Sequence, residues 1–325
     1  MPPKKYFAFI AFLLATLIWA VATPVIKITL THIPLFSFLF FRFLIVCILL
    51  LPPLFLQLKR IHVDKRDLLN LFVLGLLGQA SVILIFAGLK FTGAVDATII
   101  GIVSPIIVIW AGHYFYHEQI KTRLKIGLAL AATGTLLVMV EPLLSAGGNG
   151  PAVLARIGGN ILVLLYSVTF AAYIVLSKRV MGKDTLELKG TARFFGLTAM
   201  RKDYSPFLHT SLSFFVALIV TFPFFILETL GFLGSQTFYT GSWDTVALLG
   251  ILYMAIFSSI VAYMAFGWGL RTARVLDSAV MGYLGPIFTL PAVYLLLGEL
   301  PTKTAIVGSV IIAAGVLVAE RHKKV

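Results

Sequence analysis

Two glycine–proline pairs are the residues whose spacing has the clearest chemical consequence. Gly101 stands four before Pro105, and Gly282 stands four before Pro286. Inside a helix, a proline donates no hydrogen bond to the carbonyl four residues back, and its ring crowds that carbonyl. Each time, the released carbonyl belongs to a glycine. Such a point is a candidate hinge, or a candidate lining whose oxygen is offered to a ligand. A fixed kink that only serves packing is the plainer alternative.

The ionisable residues inside apolar runs come next. Arg42 falls about eight residues into an apolar stretch, roughly 12 Å from its end at helical rise. A charge at that depth should face a cavity or a partner. Arg42 is therefore a candidate binding residue for an anionic group, although a side chain that snorkels or tethers neighbouring carbonyls is the favoured reading. Lys27 and Lys178 close their runs and suit helix C-terminal carbonyls. Asp96 and Asp277 suit N-caps, with proton coupling as the sharper alternative. Glu118 and Glu299 sit in short turns and suit capping. His113 and His117 share a helix face beside Glu118, a spacing that can bind a metal. No third ligand is evident, so no metal and no cofactor is expected. Trp19, Gln79, Tyr166, Tyr173, Tyr263, Trp268 and Tyr283 combine apolar bodies with polar edges. Of these, Trp19, Gln79, Tyr166 and Tyr263 lie deepest in their runs and are the candidate contacts for an organic ligand. The others serve equally well as interfacial anchors.

The elements that hold these residues are written in the composition. The 325 residues are 60% hydrophobic and 12% charged, with a mean hydropathy of +1.02. That leaves too little polar surface for a water-soluble globule, and lipid is the natural solvent for the excess. The net charge of +13 is dispersed in short clusters between apolar runs, which argues against nucleic acid as a partner. The single cysteine, Cys47, excludes an intrachain disulfide and a thiol metal site. The apolar N-terminal run is too long for a signal peptide and reads as a retained helix.

The expected fold is an all-α integral membrane protein with ten transmembrane helices. The runs place them at residues 6–29, 34–56, 68–89, 94–116, 124–140, 157–178, 206–230, 246–270, 277–297 and 304–319. With the N-terminus inside, only Lys90, Arg156 and Lys303 fall in outer segments, while most of the other lysines and arginines fall in inner ones. This bias places both termini in the cytoplasm.

One stretch is written twice. "GLKFTGAVDATIIGIVSP" begins at Gly88 and "GLRTARVLDSAVMGYLGP" begins at Gly269, an offset of 181. Asp96 pairs with Asp277, Gly101 with Gly282, Pro105 with Pro286, Glu118 with Glu299, Gly127 with Gly308 and Gly134 with Gly315. A weaker pairing at an offset of 151 joins Lys27 to Lys178. Residues 1–150 and 151–325 are thus two copies of one five-helix unit. An odd number of helices turns the second copy over, which gives an inverted five-plus-five repeat. A longer inner segment at about 180–205 is basic. It suits either the membrane surface or a flexible loop. Small residues at Gly127 with Ala131, and at Ser309 with Ala313, allow close approach of the fifth and tenth helices. They pack on each other within one chain or, on the sharper reading, form a homodimer.

Three stretches carry a family resemblance: "LIWAVATPVIKI" with "FFRFL", the run from Gly250 to Phe288, and "LLLGELPTKTAIVGSVIIAAGVLVAE". The chain resembles the EamA-type members of the drug/metabolite transporter superfamily over nearly its whole length. The resemblance implies ten helices around a central cavity and a secondary transporter of a small organic metabolite or drug-like solute. It further implies export by alternating access across a plasma (inner) membrane, with no enzymatic activity. A flippase for a lipid or lipid-linked carrier, and a non-transporting membrane interaction protein, are the alternatives. The expected partners are the solute and the bilayer.

Overall fold

A computed structural model of the chain describes residues 3–65, 67–116, 122–145, 151–181, 201–233, 237–273 and 275–320. Helices run α1 Pro3–His32, α2 Leu35–Arg60, α3 Leu68–Phe91, α4 Ala94–Gly101, α5 Val103–Tyr116, α6 Thr122–Ser145 and α7 Pro151–Met181. After them come α8 Pro206–Thr229, α9 Thr245–Leu252, a π-helical segment Tyr253–Val261, α10 Ala262–Thr272, α11 Val275–Gly282, α12 Gly285–Leu297 and α13 Lys303–Glu320. No strand occurs among the described residues. In lipid every backbone polar group must be satisfied within the chain, and helices do this segment by segment. Among the described residues, seven helical segments are long and apolar enough to cross a membrane, and two shorter apolar helices accompany them. The protein is an all-α, multi-spanning membrane protein.

The expected helices recur with extended ends and three interruptions. The run at 94–116 breaks at Ile102, directly after Gly101. The run at 277–297 breaks after Gly282, where Tyr283 and Leu284 separate α11 from α12. Both breaks fall at the glycine four before a proline, as the missing N–H requires. The run at 246–270 contains the π segment, which no period in the sequence announces. There the Ser259 hydroxyl donates to the carbonyl of Met254, five residues back, at 2.8 Å. Such segments concentrate at functional sites. The helix expected from residue 157 begins earlier, at Pro151, because proline is tolerated in a first turn.

Close helix approaches are made by small residues. The backbone oxygens of Gly308 and Gly127 lie only 2.6 Å from where Cβ atoms on Gly134 and Gly315 would sit. The glycines of the fifth and tenth expected helices are therefore spent on the intramolecular contact of α6 with α13. Gly78 likewise admits the Tyr173 ring, which a Cβ there would meet at 2.8 Å.

Two helix N-termini without a local side-chain cap receive one from far along the chain. Pro34 precedes α2 and gives no side-chain bond. Glu228, at the end of α8, supplies it. Its carboxylate accepts from the N–H of Phe36 at 2.9 Å, the N–H of Ser37 at 2.6 Å and the Ser37 hydroxyl at 2.9 Å. Glu299 does the same for α4, accepting from Ala94 N at 2.7 Å and Val95 N at 3.3 Å. Negative charge at an N-terminus also complements the helix dipole. Glu228→Ala would leave buried donors unpaired and should cost about 2 kcal/mol or more. The expected result is a clearly lower apparent unfolding midpoint in detergent, partly restored in Glu228→Gln.

Of the longer basic segment at about 180–205, residues 182–200 lie outside the described residues, and its far end is anchored. The Tyr204 hydroxyl donates to Asp67 at 2.7 Å, and Arg201 N donates to the other Asp67 oxygen at 3.0 Å. Burial, and the Asp67 carboxylate beside it, push the Tyr204 phenol up to about 12, so it remains a donor at neutral pH.

Candidate functional site

A cavity of about 170 Å³ lies where the two helix breaks meet. Its walls come from α1, α4 and α5, α7, α10, and α11 and α12, with one residue from α3. All four residues of the repeated glycine–proline pairs line it: Gly101, Pro105, Gly282 and Pro286. A glycine can line a cavity only with backbone, so each break presents main-chain atoms to the space. The two breaks also touch. A Cβ on Gly282 would sit 2.7 Å from Cγ of Pro105, whereas a Cβ on Gly101 would meet nothing within 4 Å.

The aromatic wall is Trp19, Tyr166, Phe170 and Phe266. Tyr166 stacks on Phe170 at 5.7 Å, and Trp19 meets Phe170 edge-on at 5.8 Å and Phe266 at 5.3 Å. The Trp19 indole N–H donates to the carbonyl of Ser258 at 3.1 Å. That carbonyl lies in the π segment, so the segment sets the indole's orientation.

The remaining candidate contacts lie outside this cavity. Tyr263 stands behind the wall, its ring 5.3 Å from Trp19 and 5.5 Å from Phe214. Gln79 is buried between α3 and α8, where its amide donates to Ser213 Oγ at 3.4 Å. Arg42 is 1% exposed. Its Nε donates to Ser259 Oγ at 2.9 Å, and its guanidinium lies 5.2 Å from the Phe86 ring centre and 5.4 Å from that of Phe43. It thereby ties α2 to the π segment, a tethering placement. The cavity also contains residues that the sequence did not single out. Thr16, Thr23, Thr98, Ser104, Ser278 and Thr289 supply its aliphatic hydroxyls, beside the phenol of Tyr166. Their helical spacing from the candidate residues was the available signal: Thr16 and Thr23 flank Trp19 by about one turn on either side.

Charges frame the cavity without entering it. Lys27, one turn beyond the cavity residue Thr23, donates to the carbonyl of Thr92 and lies 3.6 Å from Glu299. Lys178, one turn beyond the cavity residue Ile174, donates to the carbonyls of Ala273 at 2.6 Å and Leu270 at 2.8 Å. Thr92 and Ala273 are equivalent positions of the repeated stretch. The carbonyls these lysines satisfy belong to the ends of α3 and α10, rather than to their own helices.

Asp96 differs from its expected role. Gly93 takes the N-cap position of α4, and Asp96 sits in the first turn. There its carboxylate accepts from Arg156 Nη2 at 2.7 Å and Nε at 3.0 Å. The same Nη2 lies 2.8 Å from Glu141. One guanidinium of α7 thus serves two buried carboxylates, of α4 and α6. The His113 side chain, His117 and Glu118 lie outside the described residues. Among those that are described, no cluster of three or more His, Cys, Asp or Glu could hold a metal.

The profile described as "EamA-like transporter family" matches residues 6–140 and 157–320. An uncharacterised transporter from Archaeoglobus fulgidus is 28% identical over 313 residues, covering 95% of this chain and 96% of its own. A probable amino-acid metabolite efflux pump from Salmonella typhimurium is 26% identical over 311 residues, with 94% and 92% covered. Its namesake from Escherichia coli is also 26% identical, over 310 residues, with 94% and 92% covered. A solved crystal structure, 16% identical, superposes with a TM-score of 0.56 over 98% of this chain and 95% of its own, and at that identity the likeness shows the fold alone.

Proposed function

We propose that this chain, which belongs to the EamA-like transporter family and is a secondary transporter of small organic solutes, moves its solute through the central cavity by alternating access. The carrying observation is that both copies of the repeated stretch meet at one cavity, each with a helix broken at its glycine. A ten-span, inverted five-plus-five arrangement follows if α6, the pair α11–α12 and α13 each cross once. The matched contacts of Lys27 and Lys178 support that symmetry. In this reading the two halves exchange conformations across a pseudo-two-fold axis, and the cavity opens to one face and then the other. The breaks at Gly101 and Gly282 are the hinges. Trp19 and Tyr166 contact the solute, whereas Arg42, Gln79 and Tyr263 brace the wall behind them. Both termini lie in the cytoplasm. Export is the proposed direction, in line with the efflux pumps among the relatives. A homodimer would form on the faces of α6 and α13 turned away from each other, where Leu136 and Val310 are exposed.

The test compares solutes inside and outside cells that overproduce the chain or lack it, with an Arg42→Ala variant alongside. One solute class should accumulate outside with the parent chain and stay inside without it. Arg42→Ala should reduce the amount of folded protein more than the transport per folded molecule. A change confined to the lipid profile, with no solute moved, would overturn the reading in favour of a flippase.

A further inference from the structure

The buried side of the π segment and of the helix that continues it repeats every four residues: Met254 with Ala255, Ser258 with Ser259, Ala262 with Tyr263. Around an α-helix a step of four residues turns such a stripe by about 40°, so it would wind away from its neighbours within a few turns. Pairing each N–H with the carbonyl five residues back widens the turn and takes that drift out. The N–H of Ala262 bonds to the carbonyl of Phe257 in this way.

The same winding decides what meets α1. Tyr253 and Ser258 are five apart, and residues five apart lie about 140° from each other around an α-helix. In the wider turn they come near one face, and they bond to consecutive residues of α1. The Tyr253 hydroxyl donates to the carbonyl of Ile18 at 2.7 Å, and the Trp19 indole N–H donates to the carbonyl of Ser258 at 3.1 Å. Met254 and Ser259 form the next pair at this spacing. The Ser259 hydroxyl donates to the carbonyl of Met254 at 2.8 Å and accepts from Arg42 Nε of α2 at 2.9 Å. A rare winding is thus pinned by α1 on one side and by α2 on another. Trp19 is the member of the cavity wall that these ties reach, and its ring meets Phe170 and Phe266 there. In a space of about 170 Å³, the angle of one indole is a large part of the shape.

We infer that Tyr253 and Ser259 are positioning residues that set the solute preference of the cavity. They hold the π winding, the winding holds the Trp19 indole, and the angle of the indole decides which solute shapes fit. This rests on the cavity being the solute path. Neither residue lines the cavity, so each acts on it through Trp19.

Trp19 becomes its own reporter once Trp110, Trp243 and Trp268 are replaced by Phe. In that background, Tyr253→Phe removes one donor and keeps the ring, and Ser259→Ala removes the hydroxyl that joins Arg42 to Met254. Each should shift the Trp19 emission of the purified full chain in detergent. Ser259→Thr, which keeps a hydroxyl, should return it toward the parent. In cells overproducing each chain, the solutes that accumulate outside should change in their proportions, by about tenfold between the most and least favoured, as a small change of pocket shape produces. Tyr253→Phe keeps the test open where Ser259→Ala fails to fold. Emission that stays at the parent value in both variants overturns the inference. So does shifted emission with an unchanged solute profile. A fall of every solute in proportion to the folded chain also overturns it, as the mark of a purely structural role. A parent chain that moves no solute overturns the path reading and the solute preference together, and the emission of the two variants then shows separately whether the ties position the indole.

Discussion

A Gly101→Leu variant should insert and fold like the parent chain yet move solute about tenfold more slowly or worse, the result of adding ~1.4 kcal/mol or more to the barrier. The side chain would grow from a point with no heavy atom within 4 Å, so it meets no packed neighbour and occupies the cavity itself. Gly282 occupies the equivalent position of the repeat but has a different surrounding. A Cβ there falls 2.7 Å from Pro105 Cγ, which belongs to a rigid ring that cannot swing aside. Gly282→Ala must therefore push α11 away from α5 at the point where the two breaks meet. Overpacking of this kind typically costs about 1–3 kcal/mol. The pair thus separates two effects that a single variant would mix. Gly101→Leu should lower transport at near-parental thermal stability, whereas Gly282→Ala should lower both. Solute movement in proteoliposomes, read beside the unfolding midpoint, checks this. Equal stability loss in the two variants would mean that the breaks are ordinary packing kinks.

Arg156→Ala should be the most destabilising single change among the charged residues. Arg156 holds Asp96 and Glu141, whose side chains are 4% and 1% exposed. Removing the cation would leave two carboxylates with a shared negative field in a poorly solvated place. Breaking a buried pair costs about 3–5 kcal/mol, and the one-third exposure of Arg156 argues for the lower end. Glu299, paired with Lys27, stands beside the group, so removing Arg156 also removes charge compensation from a site where carboxylates already crowd. Arg156→Lys should restore only part of the loss, since one ammonium cannot make the paired Nε and Nη2 contacts to Asp96. Adding Asp96→Asn to Arg156→Ala should recover about 1 kcal/mol or more, because contacting residues couple. Thermal unfolding of the parent chain, Arg156→Ala, Arg156→Lys, Asp96→Asn and the double variant in one detergent measures it. Additive losses in the double variant would show that Arg156 acts by packing rather than by charge.

Much of this arrangement is legible in the sequence. Apolar runs near twenty residues long announce helices in lipid, since only a helix lets one such segment satisfy its own backbone there. The repeated Gly–Pro spacing announced where two helices would break, and both did. Lys27 and Lys178 were readable as partners of helix-end carbonyls. What could not be read was which helix would supply them. Asp96 looked like a cap because aspartate near a helix start usually is one. Glu299, some two hundred residues away, took the cap and freed Asp96 for Arg156. Gln79 read as a ligand contact, and Arg42 as a tether first and a ligand contact second, because polar groups deep in apolar runs need a cavity or a partner. Their protein partners, Ser213 and Ser259, stand on helices far along the chain.

The sequence by itself determined that this chain is a helical membrane protein, where its helices weaken, and that one stretch of it is written twice. Those properties follow from local chemistry: hydropathy over one span, a missing N–H, a residue type at a fixed offset. Only the tertiary structure decided which residues share a cavity, which carboxylates share a cation and which indole is steered by a π segment. These depend on how far each helix is rotated about its axis against its neighbours. In a chain that is apolar on nearly every face, no amphipathic stripe records that rotation. Close contacts set it instead, between groups hundreds of residues apart, such as Gly282 against Pro105 and Glu228 at the start of α2.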